Sequence, residues 1–200
     1  HIDGLPETLV TPPPETFNRI REEGAKVSQA RAFDTPELHV FAPFIWPARG
    51  PISGVYGSQR ILNGKPRQPH FGIDIAAPTG TPVRAPAGGK IRLAETDLYY
   101  SGGTVILDHG HGLSSSFLHL SRIHVVVGQQ VAQGELIGEI GATGRVTGAN
   151  AAPAKSGRCK SRLHTAGIFS SAARCRAFLP HASVLLSTSG GVDGSLSSLA

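Results

Sequence analysis

The chain lacks methionine altogether, holds one tryptophan and two cysteines, and is only 6% aromatic. It contains no run of eighteen apolar residues, so the sequence predicts no membrane-spanning helix. Because the chain starts at His1 and has no methionine, we expect its natural start to lie upstream, and no signal peptide is visible to decide on secretion. Its 200 residues suffice for one domain with a buried core and a flanking segment.

The net charge of +5 is confined to the C-terminal quarter of the chain. Residues 1–148 carry 13 basic and 13 acidic residues, whereas residues 149–200 carry six basic residues and only Asp193. This basic segment is either an arm that contacts an anionic polymer or membrane surface, or a stretch that was never selected for this fold. It also holds Cys159 and Cys175, whose spacing permits a disulfide but is not the C-x-x-C pattern typical of zinc knuckles.

Turn-forming residues are frequent, with 25 glycines and 15 prolines, and they separate short apolar segments from about Val40 onward. This rhythm favours many short strands, among them residues 44–47. We therefore predict an all-β fold, an antiparallel β sandwich or barrel-sandwich hybrid, with an N-terminal helix and a divergent C-terminal tail. The helix is predicted over about residues 15–32, because Pro14 suits its start and apolar residues recur at helical spacing.

The composition divides the chain into three regions. Residues 1–39 are predicted to form an extended segment and a linker helix, and residues 40–148 the β domain. Residues 149–200 form a divergent basic tail that contains no Tyr, Trp or Glu. This tail is interpreted as disordered, as a divergent insertion, or as the product of a shifted reading frame.

The strongest local signal for chemistry is the segment His70-Phe71-Gly72-Ile73-Asp74. In a straight strand, residues i and i+4 share a face but stand about 13 Å apart, too far for one metal ion whose ligand bonds are about 2 Å. A bend at Gly72 would bring the two side chains together. His70 and Asp74 can therefore share a metal ion if the strand bends at Gly72; the alternative is a surface histidine beside a capping aspartate.

A zinc peptidase needs three protein ligands, a position for water, and a nearby group that handles the proton of that water. His119, within an apolar strand pattern, is the candidate for this last role, and His109 and His111 precede it across a Gly-rich turn. Each of these histidines can equally be a structural polar residue. No H-E-x-x-H helix is present, so the common zincin arrangement is excluded.

Several ordered motifs accompany this pair over about residues 44–148. They are His70-x-x-x-Asp74, Val105-x-Leu107-x-His109-Gly110-x-Gly112, Phe117-x-His119-Leu120 and the Gly-rich pattern of residues 128–145. Together they resemble the lysostaphin-type (LytM-like) zinc endopeptidases, which cleave peptide stems or cross-bridges of bacterial peptidoglycan. The resemblance implies Zn²⁺ as the cofactor, His70 and Asp74 as metal ligands, His119 as the catalytic histidine, and a peptidoglycan peptide as the substrate.

The chain departs from this family at its third motif, a His-x-His pair that usually follows a Thr-Gly-x-x-x-Gly-Pro stretch. Residues 143–148 supply Thr-Gly-Arg-Val-Thr-Gly, but Asn150 and Ala152 stand in strict register where the two histidines are expected. An alanine side chain has no donor atom for a metal. The third ligand must therefore come from elsewhere if the site is complete.

The segment of residues 162–169 offers a substitute, because it resembles the missing motif with its downstream strand. His164 is predicted as the third zinc ligand, with Arg162 in place of the first histidine of the motif. In a strand these two positions share a face about 6.6 Å apart, which suits paired active-site groups. An arginine stays protonated, so it can stabilise an oxyanion but cannot act as a base. His181 is a second candidate for the ligand.

Two functions follow from the resemblance. The first is a zinc-dependent metalloendopeptidase that cleaves peptide bonds in bacterial peptidoglycan, in the periplasm or outside the cell. The alternative is a catalytically degenerate relative that binds the cell wall or activates a partner hydrolase, because the His-x-His motif is missing after Gly148. A damaged enzyme with a mistranslated tail is a third interpretation. Nothing beyond the basic tail suggests a nucleic-acid partner.

Overall fold

The computed structural model describes four segments of the chain, the last two through their backbone: residues 3–4, 11–145, 160–169 and 186–188. The strands in these segments are β1 (Ile52–Gly54), β2 (Arg60–Leu62), β3 (Lys65–Arg67), β4 (Ile73–Pro78), β5 (Pro82–Arg84), β6 (Gly89–Leu98), β7 (Gly102–Gly110), β8 (Leu113–Ile123), β9 (Gln130–Val131), β10 (Leu136–Ile140), β11 (Lys160–Phe169) and β12 (Leu186–Thr188).

Most of these strands belong to one curled sheet with the order β1-β4-β11-β8-β7-β6-β9. Strand β10 pairs with both β5 and β8, while β2 and β3 form a separate hairpin. All pairs among the described strands are antiparallel except that of β11 with β12. The predicted all-β, antiparallel architecture is therefore confirmed.

One face of the sheet carries the main hydrophobic core. Phe117, Leu107, Ile91 and Ile137 are fully buried there, and Ile75 of β4 packs into the same cluster. Full burial of one such side chain contributes about 2 kcal/mol. This core fixes the positions of β4 and β8, the two strands that carry the candidate site.

The predicted N-terminal helix is present as α1 (Phe17–Arg31), which follows a single 3-10 turn at Pro14–Thr16. Val27 and Ala30 pack against apolar side chains of β6 and β7, and the Lys26 ammonium lies 3.2 Å from the Glu95 carboxylate. The helix therefore covers the side of the sheet opposite the main core. Among the described residues, no helix is long and apolar enough to span a membrane.

A buried carboxylate holds the segment between α1 and the sheet in place. Asp108 is 2% exposed; its Oδ2 accepts hydrogen bonds from the Arg92 guanidinium at 2.8 Å and from the Thr35 hydroxyl at 3.1 Å. The same guanidinium lies over the Phe33 ring, 4.0 Å from its centroid. The chain after α1 is thus held against β6 and β7.

The strand predicted over residues 44–47 is not formed, and that expectation is wrong. Ile45 donates to the Pro86 carbonyl at 2.9 Å and Arg84 donates to the Pro47 carbonyl at 2.8 Å, but no ladder develops. Pro43 and Pro47 have no N–H to donate, which interrupts the alternation that a strand requires. These residues therefore follow the sheet as an irregular segment.

The sheet continues beyond residue 148. Strand β11, which comes from the region predicted as a tail, lies between β4 and β8 and pairs with both. The other boundaries proposed for the three regions stay predictions. Cys159 and Cys175 lie outside the described residues, and so does the disulfide considered for them.

Candidate metal centre and cleft

His70 is held in a defined orientation at the entrance to β4. Its backbone N–H donates to the Ser58 carbonyl at 2.9 Å, and its carbonyl accepts from Gly57 at 2.7 Å. In the ring, Nδ1 lies 3.1 Å from the Val55 carbonyl oxygen. Because a carbonyl oxygen only accepts, Nδ1 carries the hydrogen, and Nε2 presents its lone pair when the ring is neutral. The side chain is almost fully buried, at 2% exposure.

The bend predicted at Gly72 is present, and β4 begins one residue later. It brings His70 Nε2 to 3.1 Å from Asp74 Oδ1. Gly54 of β1 provides the room for this carboxylate, because a Cβ at that position would lie 2.4 Å from Asp74 Oδ2. The sequence argument from spacing did not identify Gly54, which is required here for its lack of a side chain.

The chemistry of this pair fits one metal ion. A neutral His70 ring and an ionised Asp74 would face each other with lone pairs at 3.1 Å, and a cation bound by both would stabilise this arrangement. Two ligands with bonds of about 2.0 Å at a tetrahedral angle stand about 3.3 Å apart, close to the observed separation. The hydrogen bond from Nδ1 to a backbone carbonyl is the outer-shell contact typical of a metal-binding histidine.

His119 lies on β8, in a backbone conformation that few non-glycine residues adopt. Its φ is +63°, its N–H donates to the Ser101 carbonyl at 2.8 Å, and its Nδ1 lies 2.8 Å from the Thr143 carbonyl oxygen. Such strain persists only where the surrounding structure enforces it, and it is common at functional sites. By the same reasoning as for His70, Nδ1 is the donor and Nε2 carries the lone pair of the neutral ring.

His70 and His119 line the same cleft, whose volume is about 590 Å³. The structure thus brings together the three residues predicted from the motifs: the pair His70 and Asp74 at 3.1 Å, and His119 across the cleft from His70. Among the side chains that the structure describes, no third His, Cys, Asp or Glu joins His70 and Asp74 in a group that could hold a metal.

The backbone of β11 gives His164 a specific register. His164 pairs with Asp74 on β4 and, on its other side, with Leu118 on β8, directly before His119. Arg162 pairs with Ala76. The roles assigned to these two side chains stay predictions. His181, the second candidate ligand, lies outside the described residues.

Sequence reasoning missed the arginines of the cleft. Arg60 and Arg67 come from the β2–β3 hairpin, and Arg145 follows the last strand of the continuous described segment. The dipeptide Asn63-Gly64, with both residues at positive φ, is the standard signal for such a hairpin and would have located the first two.

The two other histidines of the β7–β8 region are structural. His109 is fully buried, with Nδ1 2.7 Å from the Gly88 carbonyl oxygen and Nε2 2.8 Å from the Ser115 hydroxyl. His111, exposed at the following turn, stacks edge-on with Phe41 at 5.5 Å. Neither lines the cleft.

His109 makes the stability of the domain depend on pH. Burial lowers the pKa of His109 from 6.5 to about 4. The unfolded chain therefore binds a proton that the folded chain does not, so this stabilisation is complete above about pH 6.5 and is lost as the pH falls toward 4. The unfolding free energy of the parent should fall when the pH is lowered from 7.5 to 5. In the His109→Gln variant we expect this fall to be about 2 kcal/mol smaller. Urea titrations at both pH values measure this difference. His111→Asn is the control, and an unchanged pH dependence in His109→Gln would contradict the assignment.

The chain is similar in sequence to several known proteins. Residues 68–153 match Peptidase family M23. The cell division protein DipM of Caulobacter vibrioides is 35% identical over 137 residues, which are 68% of this chain and 21% of DipM. The peptidoglycan DD-endopeptidase ShyA of Vibrio cholerae is 44% identical over 80 residues, 40% of this chain and 18% of ShyA.

Two solved structures share the fold. A peptidase M23 from Pseudomonas aeruginosa superposes with a TM-score of 0.60 at 36% identity, covering 76% of this chain and 56% of that one. A zinc-containing peptidase from Vibrio cholerae gives a TM-score of 0.52 at 29% identity, covering 62% and 36%. The chain contains a domain of peptidase family M23. It spans about a fifth of the length of the two curated relatives named above.

Proposed function

We propose that this protein is a zinc-dependent metalloendopeptidase that cleaves peptide bonds in bacterial peptidoglycan. The observation that carries the proposal is the buried pair of His70 Nε2 and Asp74 Oδ1, 3.1 Å apart, beside a cleft that His119 also lines. The name of the relative ShyA, a peptidoglycan DD-endopeptidase, supports the substrate. Because peptidoglycan lies outside the cytoplasm, we also propose a periplasmic or secreted location.

His70 and Asp74 would hold the zinc ion through Nε2 and Oδ1. When bound, zinc supplies a water of lowered pKa and polarises the carbonyl of the peptide. The hydrogen bond to the Val55 carbonyl orients His70 for this role. The absence of a side chain at Gly54 leaves room for the Asp74 carboxylate. The neutral His119 ring, with Nδ1 on the Thr143 carbonyl, would accept a proton at Nε2 and return it to the leaving amine.

We propose His164 as the third ligand. Its register position opposite Asp74 supports this role, because directly opposed residues of antiparallel strands hold their Cβ atoms about 5 Å apart. Two side chains at that spacing can reach one ion through bonds of about 2 Å. Arg162, two residues earlier on the strand, would steady negative charge on the substrate carbonyl.

The loss of the His-x-His motif favours a second candidate function. With Arg162 in place of a histidine, the chain would be a catalytically degenerate relative that binds the cell wall or activates a partner hydrolase. Such a protein would retain the cleft but not turn over its substrate. Hydrolysis of purified peptidoglycan, followed by mass spectrometry of the released peptides, separates the two candidates.

Zinc content tests the role of His164. We expect about one zinc per chain in the parent and near zero in His164→Ala, because removing one of three ligands lowers both affinity and geometric fit. Elemental analysis of the purified proteins measures this. His164→Cys should retain the metal, since a thiolate is a good zinc ligand. This variant therefore distinguishes the loss of a zinc ligand from damage to β11. Stoichiometric zinc in His164→Ala would show that another residue completes the site.

A further inference from the structure

The loop that joins β6 to β7, residues 99–101, helps to hold His119 in place. The Ser101 carbonyl accepts a hydrogen bond from the His119 N–H at 2.8 Å. Next to the loop, the Gly103 N–H donates to the Thr143 hydroxyl at 2.8 Å, and the Thr143 carbonyl accepts from Nδ1 of His119 at 2.8 Å. The strained backbone and the ring orientation of His119 therefore both depend on where this hairpin lies.

Helix α1 contacts this loop through Glu23, which uses both of its carboxylate oxygens. Oε2 accepts from the Tyr99 N–H at 2.7 Å, and Oε1 accepts from the Arg19 guanidinium at 2.6 Å. The same guanidinium lies 3.1 Å from the Asp97 carboxylate, near the end of β6. The Glu23 side chain is only 15% exposed, so its two bonds are partly shielded from water.

The hydrogen bond from Tyr99 to Glu23 has a stronger physical basis than the ion pair that Lys26 forms with Glu95. Strand β6 ends at Leu98, so the Tyr99 N–H lies beyond the ladder and needs another acceptor. A carboxylate suits this N–H, because a charge-assisted hydrogen bond is roughly twice as strong as a neutral one. Lys26 and Glu95, by contrast, lie 3.2 Å apart with side chains 56% and 38% exposed, and an exposed pair of this kind contributes little.

We propose that α1 belongs to the catalytic unit and that Glu23 is a positioning residue for His119. The inference rests on the proposed peptidase function, in which His119 moves a proton. Glu23 itself does not line the cleft, whereas Tyr100 and Ser101 of the loop do. Glu23 therefore acts through the loop: it fixes the Tyr99 N–H, and the loop presents the Ser101 carbonyl to the backbone of His119. The helix that the sequence predicts as a linker is, in this proposal, a support of the active site.

Amide hydrogen exchange in Glu23→Ala tests this link without depending on activity. Alanine favours helix, so α1 is retained while the acceptor for Tyr99 is lost. We expect the Tyr99 and His119 amides to exchange at least about tenfold faster than in the parent, and the Ile106 amide in the middle of β7 to be unchanged. Glu23→Gln should lie between the two, because its amide oxygen still accepts from Tyr99 but carries no charge for Arg19.

Hydrolysis of a peptidoglycan peptide measures the effect on the reaction. In Glu23→Ala we expect kcat to fall about tenfold and KM to change less than about twofold, since His119 is proposed to move a proton and not to bind the substrate. Zinc content should stay at that of the parent, and Glu23→Gln should recover part of the rate. Lys26→Ala is the matched control, because it removes the ion pair with Glu95 and leaves the loop contact intact. Its exchange and kinetics should equal those of the parent.

Parent-like exchange of the His119 amide in Glu23→Ala would overturn the inference, and so would an unchanged kcat. Equal losses in Lys26→Ala would also overturn it, because α1 would then be a general support of the sheet. A parent that hydrolyses no peptide refutes the peptidase function alone, since exchange at His119 still decides whether Glu23 holds the loop.

Discussion

Replacement of His70 by alanine is expected to remove both the zinc ion and peptide hydrolysis. Nε2 of His70 and Oδ1 of Asp74 form one edge of the proposed site, and a zinc ion that keeps only two protein ligands binds weakly. We expect the zinc content to fall from about one per chain to near zero, and the rate of peptidoglycan cleavage to fall at least about 10³-fold. Elemental analysis and the release of soluble peptides measure the two effects.

Asp74→Asn provides the matched test of the second ligand, because it keeps the size of the side chain and removes its charge. His124→Ala is the control: His124 pairs with Glu139 at 2.9 Å, away from the cleft, and its removal should change neither quantity. A His70→Ala protein that retains stoichiometric zinc would disprove the assignment of this pair.

His119→Asn is expected to separate chemistry from metal binding. His119 is proposed to move a proton without contacting the metal, so the variant should keep its zinc while the cleavage rate falls about 10²–10⁴-fold. Asparagine is chosen because it tolerates the φ of +63° better than alanine does. Zinc analysis and initial rates at saturating peptide measure the separation.

Two results would contradict this role for His119. A variant that loses zinc together with activity would make His119 a ligand, and a variant with the parent's rate would leave it a structural residue that holds Thr143. The thermal unfolding temperature of His119→Asn, compared with that of the parent, controls for damage to β8.

The proximity of His70 and Asp74 was predictable because its geometry is local. His70 and Asp74 are four residues apart, so a bend at Gly72 alone is enough to bring them together. That bend is present. The position of His119 on a strand was predictable from its apolar neighbours Phe117, Leu118 and Leu120. Its strained backbone was not, since that depends on contacts with Ser101 and Thr143, which come from other parts of the chain.

The remainder of the site depends on contacts between distant segments. Gly54 matters only because β1 pairs with β4, and the convergence of Arg145 with Arg60 and Arg67 depends on the packing of Gly144 against Gly102. The prediction of a strand at residues 44–47 was wrong for a local reason, because it gave the apolar residues more weight than the prolines. Local pattern therefore identifies the candidate site residues, whereas tertiary contacts determine what surrounds them.

Strand β11 lies between β4 and β8 in the sheet although it comes from much later in the sequence. Among the described strands, β11 alone links the strand that carries Asp74 to the strand that carries His119. It pairs with β4 across almost ninety residues of chain, a long-range closure that folds slowly compared with local hairpins. The proposed third ligand lies on β11, so a nascent chain that ends before residue 160 lacks part of the proposed site. A slip of β11 by one residue would place a neighbour of His164 opposite Asp74, so the proposed site requires the observed register of β11 with β4.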